Sequence, residues 1–278
     1  MSWENDDFEA VRSDPDPLRR GRRASSLMVI YQQRATELAR LRKAAIQEAK
    51  QSGMTYTDIA EALGISKGRI TQIKQSAANV ERVFFGVGPV AVGIPYRYQT
   101  TDRERPLIAA EDAQTGNDAA DLLAEQAFAV TRYQISPDTE APPPGDGIVV
   151  CGPKTAPLGA SLMEEDPRCQ LLKVDGRWMF ELPDKSTLGS PMDGDEALST
   201  DIAYLARHKL SDRTIIHIAG VHAIGSMGAV HFLRHNLKDL FATVGDTSFS
   251  LAISSTFDDL SISDSQVAAG PFFWDRDD

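Results

Sequence analysis

Residues 55–73, TYTDIAEALGISKGRITQI, leave little freedom in how they fold. Ala60 is small where one helix would cross another, Gly64 tolerates a positive φ in a tight turn, and Ile59, Leu63, Ile65, Ile70 and Ile73 recur at the spacing of a shared apolar core. Together these requirements predict a helix-turn-helix. Ser66 stands where it can cap the second helix, whose outward face then carries Lys67, Arg69, Thr71, Gln72, Lys74 and Gln75. Cationic groups suit phosphates, and long amide or guanidinium groups suit base edges, so Ser66 and these six residues are the candidate contacts to double-stranded DNA. An ordinary helical hairpin with solvated charges is the alternative, and the number of positions satisfied at once weighs against it.

Charge is partitioned in the same sense. The 278 residues carry a formal net charge of -11, yet residues 19–82 hold 13 basic against 5 acidic side chains, while residues 83–278 hold 15 against 29. An acidic remainder repels a phosphate backbone, so nucleic-acid contact is expected from the basic part only. The 42% apolar content is enough for real cores. Cys151 and Cys169 sit in no CxxC or His-rich cluster, which argues for reduced thiols and against a metal site. The acidic start MSWENDDFEA is no secretory signal and no run is long and apolar enough to span a bilayer, so a cytoplasmic protein is expected.

The expected organisation is multidomain: a flexible arm over 1–25, a small all-α helix-turn-helix domain over 26–82, and an α/β Rossmann-like domain over 83–278. The arm contains DPDP and RRGRR with few apolar residues; Arg19, Arg20, Arg22 and Arg23 would lie along phosphates or be solvated. Ser25 or Ser26 can cap the next helix, which presents Leu27, Ile30, Tyr31, Leu38, Leu41, Ala45 and Ile46 on one face and stops at Gly53. Beyond Arg82 the pattern alternates. Strands are expected near 90–98, 130–135, 148–151, 214–219 and 249–254, a hairpin over 171–182 turned at Asp175-Gly176, and helices within 118–129, 158–164, 200–207 and 227–241. LGSPMDGDEALS reads as a loop.

In TIIHIAGVHAIGSMGAVHFL a buried strand runs into a turn with Gly220, Gly225 and Gly228, and a helix begins near Ser226. Close backbone approach and free N–H groups at a helix start suit a phosphate or carboxylate, although tight strand-to-helix packing also uses such glycines. The spacing is neither a Walker A loop nor GxGxxG. Strand ends of a parallel sheet share one edge, so Gly152, Lys154 and Thr155 after one strand, Asp193 in a long loop, and Gly220, His222, Gly225, Ser226 and Gly228 form the candidate ligand set. His217, in an apolar strand, reads as a core histidine, Asp166 as a turn former, and His231 with His235 as poor metal ligands lacking an HExxH carboxylate.

GMTYTDIAEALGISKGRITQIKQSA resembles the C-terminal helix-turn-helix of bacterial sigma factors, which reads the promoter element upstream of the start site. The resemblance spans about Leu27 to Asn79 and implies DNA binding through Lys67, Arg69, Gln72 and Lys74. The preceding sigma-factor regions are missing, which disfavours a working sigma factor. GIVVCGPK, GSPMD, IAGVHAIGSMGAVHFL and TSFSLAIS resemble the C-terminal half of a group of bacterial helix-turn-helix proteins of uncharacterised activity. The glycine loop is similar to that of the SLOG group of Rossmann-like nucleotide-handling domains, which implies a nucleotide-like ligand.

The leading expectation is a DNA-binding transcription regulator whose α/β domain senses a small anionic, nucleotide-like ligand, working as a homodimer because a lone helix-turn-helix contacts few base pairs. A nucleotide-processing enzyme would use Lys154, Asp193, His222 and Ser226, but a recognisable nucleophile, base and orienter set is missing, and no catalytic residue, cofactor or metal is assigned. A third reading is a DNA-bound scaffold that recruits a protein such as RNA polymerase.

Overall fold

The structure, a computed structural model, describes residues 3–100, 102–194 and 198–275. Part of the loop expected at 188–199 therefore lies outside the described residues. The N-terminal part is helical throughout: α1 (Trp3–Arg12), α2 (Pro17–Gln51), α3 (Tyr56–Ala62) and α4 (Lys67–Ser76). Of the flexible arm expected over 1–25, residues 1 and 2 lie outside the described residues, and from Trp3 onward α1 and the first turns of α2 take its place. Asp16 caps α2 by accepting from Leu18 N and Arg19 N, Pro17 opens it, and buried Asp14 binds Arg19 and Arg23. Ser25 and Ser26 cap nothing; their hydroxyls donate to the carbonyls of Gly21 and Arg22 one turn back.

The face expected to be apolar on α2 is not its core face. Ile46 is buried, but Leu38 and Leu41 are exposed, and the other buried residues of the helix are Gln33, Glu37 and Arg40. Ile46 meets Ile59, Ala60, Ile70 and Ile73 in the small core of the three-helix unit. Thr55 and Asp58 form a capping box on α3, Ser66 caps α4 by accepting from Arg69 N, and Gly64 takes φ 65° between them. Leu63, expected in that core, is exposed.

A 3-10 helix, Val80–Phe85, leads into the second part. Its strands are β1 (Val90–Pro95), β2 (Arg97–Thr100), β3 (Glu104–Leu107), β4 (Val130–Ile135), β5 (Asp146–Val150), β6 (Gln170–Val174), β7 (Arg177–Glu181), β8 (Thr187–Gly189), β9 (Thr200–Lys209), β10 (Thr214–Gly220), β11 (Phe249–Asp258) and β12 (Ser261–Phe273). Its helices are α5 (Ala110–Glu125), α6 (Pro157–Glu164) and α7 (Ala223–Val244). The main sheet runs β12-β11-β9-β10-β5-β1-β4, parallel from β4 to β10 and antiparallel from β10 to β12. The pairs β2-β3 and β6-β7-β8 form two small antiparallel sheets.

Both faces of the main sheet are covered. Val92, Ile148, Ile216 and Leu205 point to one face, where α5 and α7 supply Leu122, Leu123, Leu233 and Leu237. On the other face Val149 and Ile215 meet Leu158 and Leu162 of α6, and Tyr204 and Ala219 meet Leu171 and Phe180. This double coverage corrects the helix expected over 200–207. That segment is β9, buried from Asp201 through His208, and a short apolar run of this kind does not distinguish strand from helix by periodicity. Helix α7 begins at Ala223 rather than near Ser226, and the hairpins β2-β3 and β11-β12 were not expected. The turn at Asp175 and Gly176, with φ 49° and 83°, joins β6 to β7 as expected.

Candidate functional site

Two sites take shape. On the helix-turn-helix, Ser66, Lys67, Arg69, Thr71, Gln72, Lys74 and Gln75 are all exposed, while Ile70 and Ile73 of the same helix are buried. The face is partly preorganised. Arg69 Nη1 donates to Gln72 Oε1, and Lys74 Nζ donates to Tyr56 Oη at 2.8 Å and lies over its ring. Ser66 is committed to its cap, so its hydroxyl fixes the first turn from which Lys67 and Arg69 project.

The helix-turn-helix is tied to the α/β part through Arg82, which is 0% exposed. Its Nη2 donates to Gln33 Oε1 of α2 at 2.8 Å and to the Val87 carbonyl, its Nε donates to the Gln126 carbonyl, and its guanidinium stacks 3.7 Å from the Phe128 ring. Glu37 of α2 lies 3.6 Å from Nη1 and also holds Arg40. The side chain therefore spans the boundary expected at residues 82 and 83.

The second site is a cavity of about 930 Å³ at the C-terminal ends of β1, β5 and β10. The segments after β5 and β10 do converge there: Gly152, Lys154, Thr155, Gly220, His222 and Ser226 all line it, and Lys154 Nζ donates to the Val221 carbonyl. Asp193, from a 3-10 helix after β8, joins through His222, its Oδ1 lying 3.3 Å from Nε2. Strand β1 is flanked by β4 and β5, so the chain leaves its C-terminal end beside two parallel neighbours, where an open sheet leaves a crevice. Pro95, Tyr96 and Arg97 line the cavity there.

The glycine loop works differently from the expected anion cradle. Asp201 of β9, 0% exposed, accepts from His222 N at 3.0 Å and Gly225 N at 2.9 Å, and Val221 N donates to the Ile202 carbonyl. A buried carboxylate thus occupies the start of α7, the position that favours negative charge. Gly220 N donates to Ser226 Oγ. A side chain on Gly220 would run into the His222 carbonyl, one on Gly225 would meet Asp201 Oδ2 at 2.5 Å, and one on Gly228 would run into Ser255 Oγ of β11. Gly225 and Gly228 are therefore packing glycines behind the site rather than part of its wall.

His222 is held from both sides. Its Nδ1 lies 3.1 Å from Asp201 Oδ1 and its Nε2 faces Asp193, and the bond to Asp201 raises its pKa against the opposing effect of burial. Burial lowers the pKa of Lys154, against the pull of Asp201, Asp193 and Asp112. Asp112, in the first turn of α5, lines the cavity with its pKa pushed up to about 6 by burial and by neighbouring Glu111. Asp112, Arg97 and Asp201 were not anticipated. Arg97 and Asp112 sit in no motif, and Asp201 belongs to β9, whose short apolar run is equally compatible with the helix expected over 200–207.

The remaining residues are structural. His217 is buried, with Nε2 2.7 Å from the Cys151 carbonyl and its pKa lowered to about 3 by burial. Asp166 accepts from Arg168 N, as a turn former does, and from Tyr204 Oη. His231 bonds Ser265 and His235 bonds the His231 carbonyl. Among the described residues no group of three or more His, Cys, Asp or Glu could hold a metal ion, and no helix is long and apolar enough to cross a membrane.

A family model described as a homeodomain-like domain matches residues 34–80, from the middle of α2 to the start of the 3-10 helix. Comparison with curated proteins and comparison with solved structures give no match. The chain thus carries an N-terminal helix-turn-helix of the homeodomain-like kind, followed by an α/β domain built on a mixed sheet.

Proposed function

We propose that this protein is a DNA-binding transcription regulator in which α4 reads DNA and the cavity above β1, β5 and β10 takes a small polar ligand. The DNA-reading half is supported by the homeodomain-like match together with the exposed Lys67, Arg69, Gln72, Lys74 and Gln75. The observation that carries the ligand half is the convergence of Lys154, His222 and Arg97 with Asp112 and Asp193 around one cavity. Asp201 takes the amide of Gly225 in α7 and that of His222 just before the helix, so the phosphate or carboxylate of a nucleotide-like ligand would be met chiefly by Arg97 and Lys154. Hydroxyl or amino groups of the same ligand would be received by Asp112. A ligand that shifts β1 or β5 would reach the DNA-reading unit through Arg82, which bonds the Val87 carbonyl three residues before β1 and Gln33 of α2.

A thermal-shift screen of the full chain against nucleotides, dinucleotides and sugar phosphates tests the ligand half, because a ligand bound to the folded state stabilises it by mass action. A shift removed by Lys154→Ala and by Asp112→Asn supports the reading, and a panel without any shift refutes it. DNA binding is tested separately by fluorescence anisotropy with genomic fragments, comparing the full chain with Lys67→Ala and Arg69→Ala.

The clamped His222 also favours a nucleotide-processing enzyme as a second reading. An imidazolium between two carboxylates and facing a cavity can act as a general acid. Product formed from the ligand that causes the thermal shift, and lost in His222→Ala, would establish that reading.

A further inference from the structure

Helix α2 has three faces with three different roles. Near its C-terminal end Ile46 seats α3 and α4, and further back Gln33, Glu37 and Arg40 turn towards Arg82. About half a turn round from Gln33 and Glu37 lie Met28, Tyr31, Ala35 and Leu38, all exposed. Met28 is 70% and Leu38 66% exposed, which is uncommon for large apolar side chains on a helix whose other faces are occupied. Their spacing of three, four and three residues is that of a coiled-coil seam. Ala24 and Arg42, then Gly21 and Ala45, continue the same alternation outward.

We propose that this seam joins two copies of the chain by antiparallel pairing of α2 with α2. A twofold axis crossing the seam between Tyr31 and Ala35 sets Met28 opposite Leu38 of the second copy and Tyr31 opposite Ala35, each contact made twice, as a self-complementary interface requires. The large ring then faces the smallest of the four exposed seam residues. A parallel pair would set Tyr31 on Tyr31 and Ala35 on Ala35, overfilling one layer and leaving a void in the next. It would also bring the two clusters of Arg19, Arg20, Arg22 and Arg23 together, whereas the antiparallel pair keeps them at opposite ends.

The same register fixes the distance between the two helix-turn-helix units. Each packs at the level of Ile46, which lies opposite residue 20 of the second copy, so the units stand roughly 26 residues apart, or about 39 Å at 1.5 Å per residue. Half-sites one turn of B-DNA apart are separated by about 34–36 Å. Only this spacing rests on the DNA-reading proposed above; the pairing is argued from α2 itself.

Sedimentation velocity of the full chain without DNA at micromolar concentration tests the pairing. The expected result is a dimer whose mass halves in Met28→Glu and in Leu38→Glu with unchanged far-UV circular dichroism, since both side chains are solvent-facing in the single chain. Register is tested in the double variant Met28→Cys with Leu38→Cys, because the native Cys151 and Cys169 are buried. Oxidation is expected to link residue 28 to residue 38 between chains. A monomeric wild type, a dimer that survives both Glu variants, or links of 28 to 28 and 38 to 38 would each overturn the proposal. Failure of DNA binding with the dimer intact would refute the DNA reading alone.

Discussion

Asp201→Ala is the substitution with the sharpest expected consequence. The carboxylate is fully buried and accepts from two amides, His222 N and Gly225 N, while bonding His222 Nδ1 at 3.1 Å. It therefore acts as the N-terminal cap of α7 although it belongs to β9, twenty-one residues earlier in the chain than His222. Loss of a cap costs about 1 kcal/mol, and a buried donor left unsatisfied costs about 1–3 kcal/mol. Gly225 N keeps a second acceptor, the His222 carbonyl at 3.2 Å, so the larger share falls on His222 N and the imidazole. The expected total is about 3 kcal/mol. At about 2–4 °C per kcal/mol, the unfolding of the α/β domain falls by roughly 6–12 °C. Scanning calorimetry reads that change, and hydrogen exchange of the first-turn amides of α7 localises it. Exchange unchanged at His222 and Gly225, with a midpoint within about 2 °C of wild type, would refute the assignment of Asp201 as the group that holds the helix start.

Three further outcomes are expected. The raised pKa of His222 means that its ion pairs stabilise the fold below the ordinary histidine range and that this contribution is lost as pH rises through the folded-state value; an NMR titration should show the His222 resonance moving at higher pH than a free histidine, and moving back in Asp193→Asn. Arg82→Met strands Gln33 Oε1 and the Val87 and Gln126 carbonyls, which should destabilise the chain by about 3–5 kcal/mol, since truncating one partner of a buried charged network is costly; denaturation with hydrogen exchange along residues 33–40 checks it. On the DNA side, Arg69→Ala should cost about 1–3 kcal/mol at one base position, while Lys67→Ala should weaken all sequences alike and reduce the salt slope by about 1.

Local chemistry was legible at several positions where a residue's role depends on its chain neighbours. The Ser66 cap, the positive φ of Gly64, the Asp175-Gly176 hairpin and the β4 strand all follow from positions within a few residues of one another. The helix-turn-helix was legible for the same reason, since its core residues lie within one short segment and only Leu63 departs from the pattern. The Asp16 cap of α2 is hidden in the sequence because DPDP and RRGRR look disordered by composition, whereas Asp14 compensates the charges of Arg19 and Arg23 once the helix forms.

The sequence by itself determined the turn and second cap of the helix-turn-helix, which face of α4 carries cations, and which loops could meet at a shared sheet edge. The tertiary structure alone decided what those loops can hold. Residues 200–207 become a strand because the sheet buries both of their faces, a condition invisible to hydrophobic period. That placement brings Asp201 under the glycine loop, so the His222 and Gly225 amides, two of those that would otherwise have been free for an anion, are satisfied from within the protein. Arg82 finds Gln33 and the Gln126 carbonyl more than forty residues away in the chain, Arg97 and Asp112 come to one cavity only through the fold, and the energy of a buried charge depends on what surrounds it in space rather than on its neighbours in the chain.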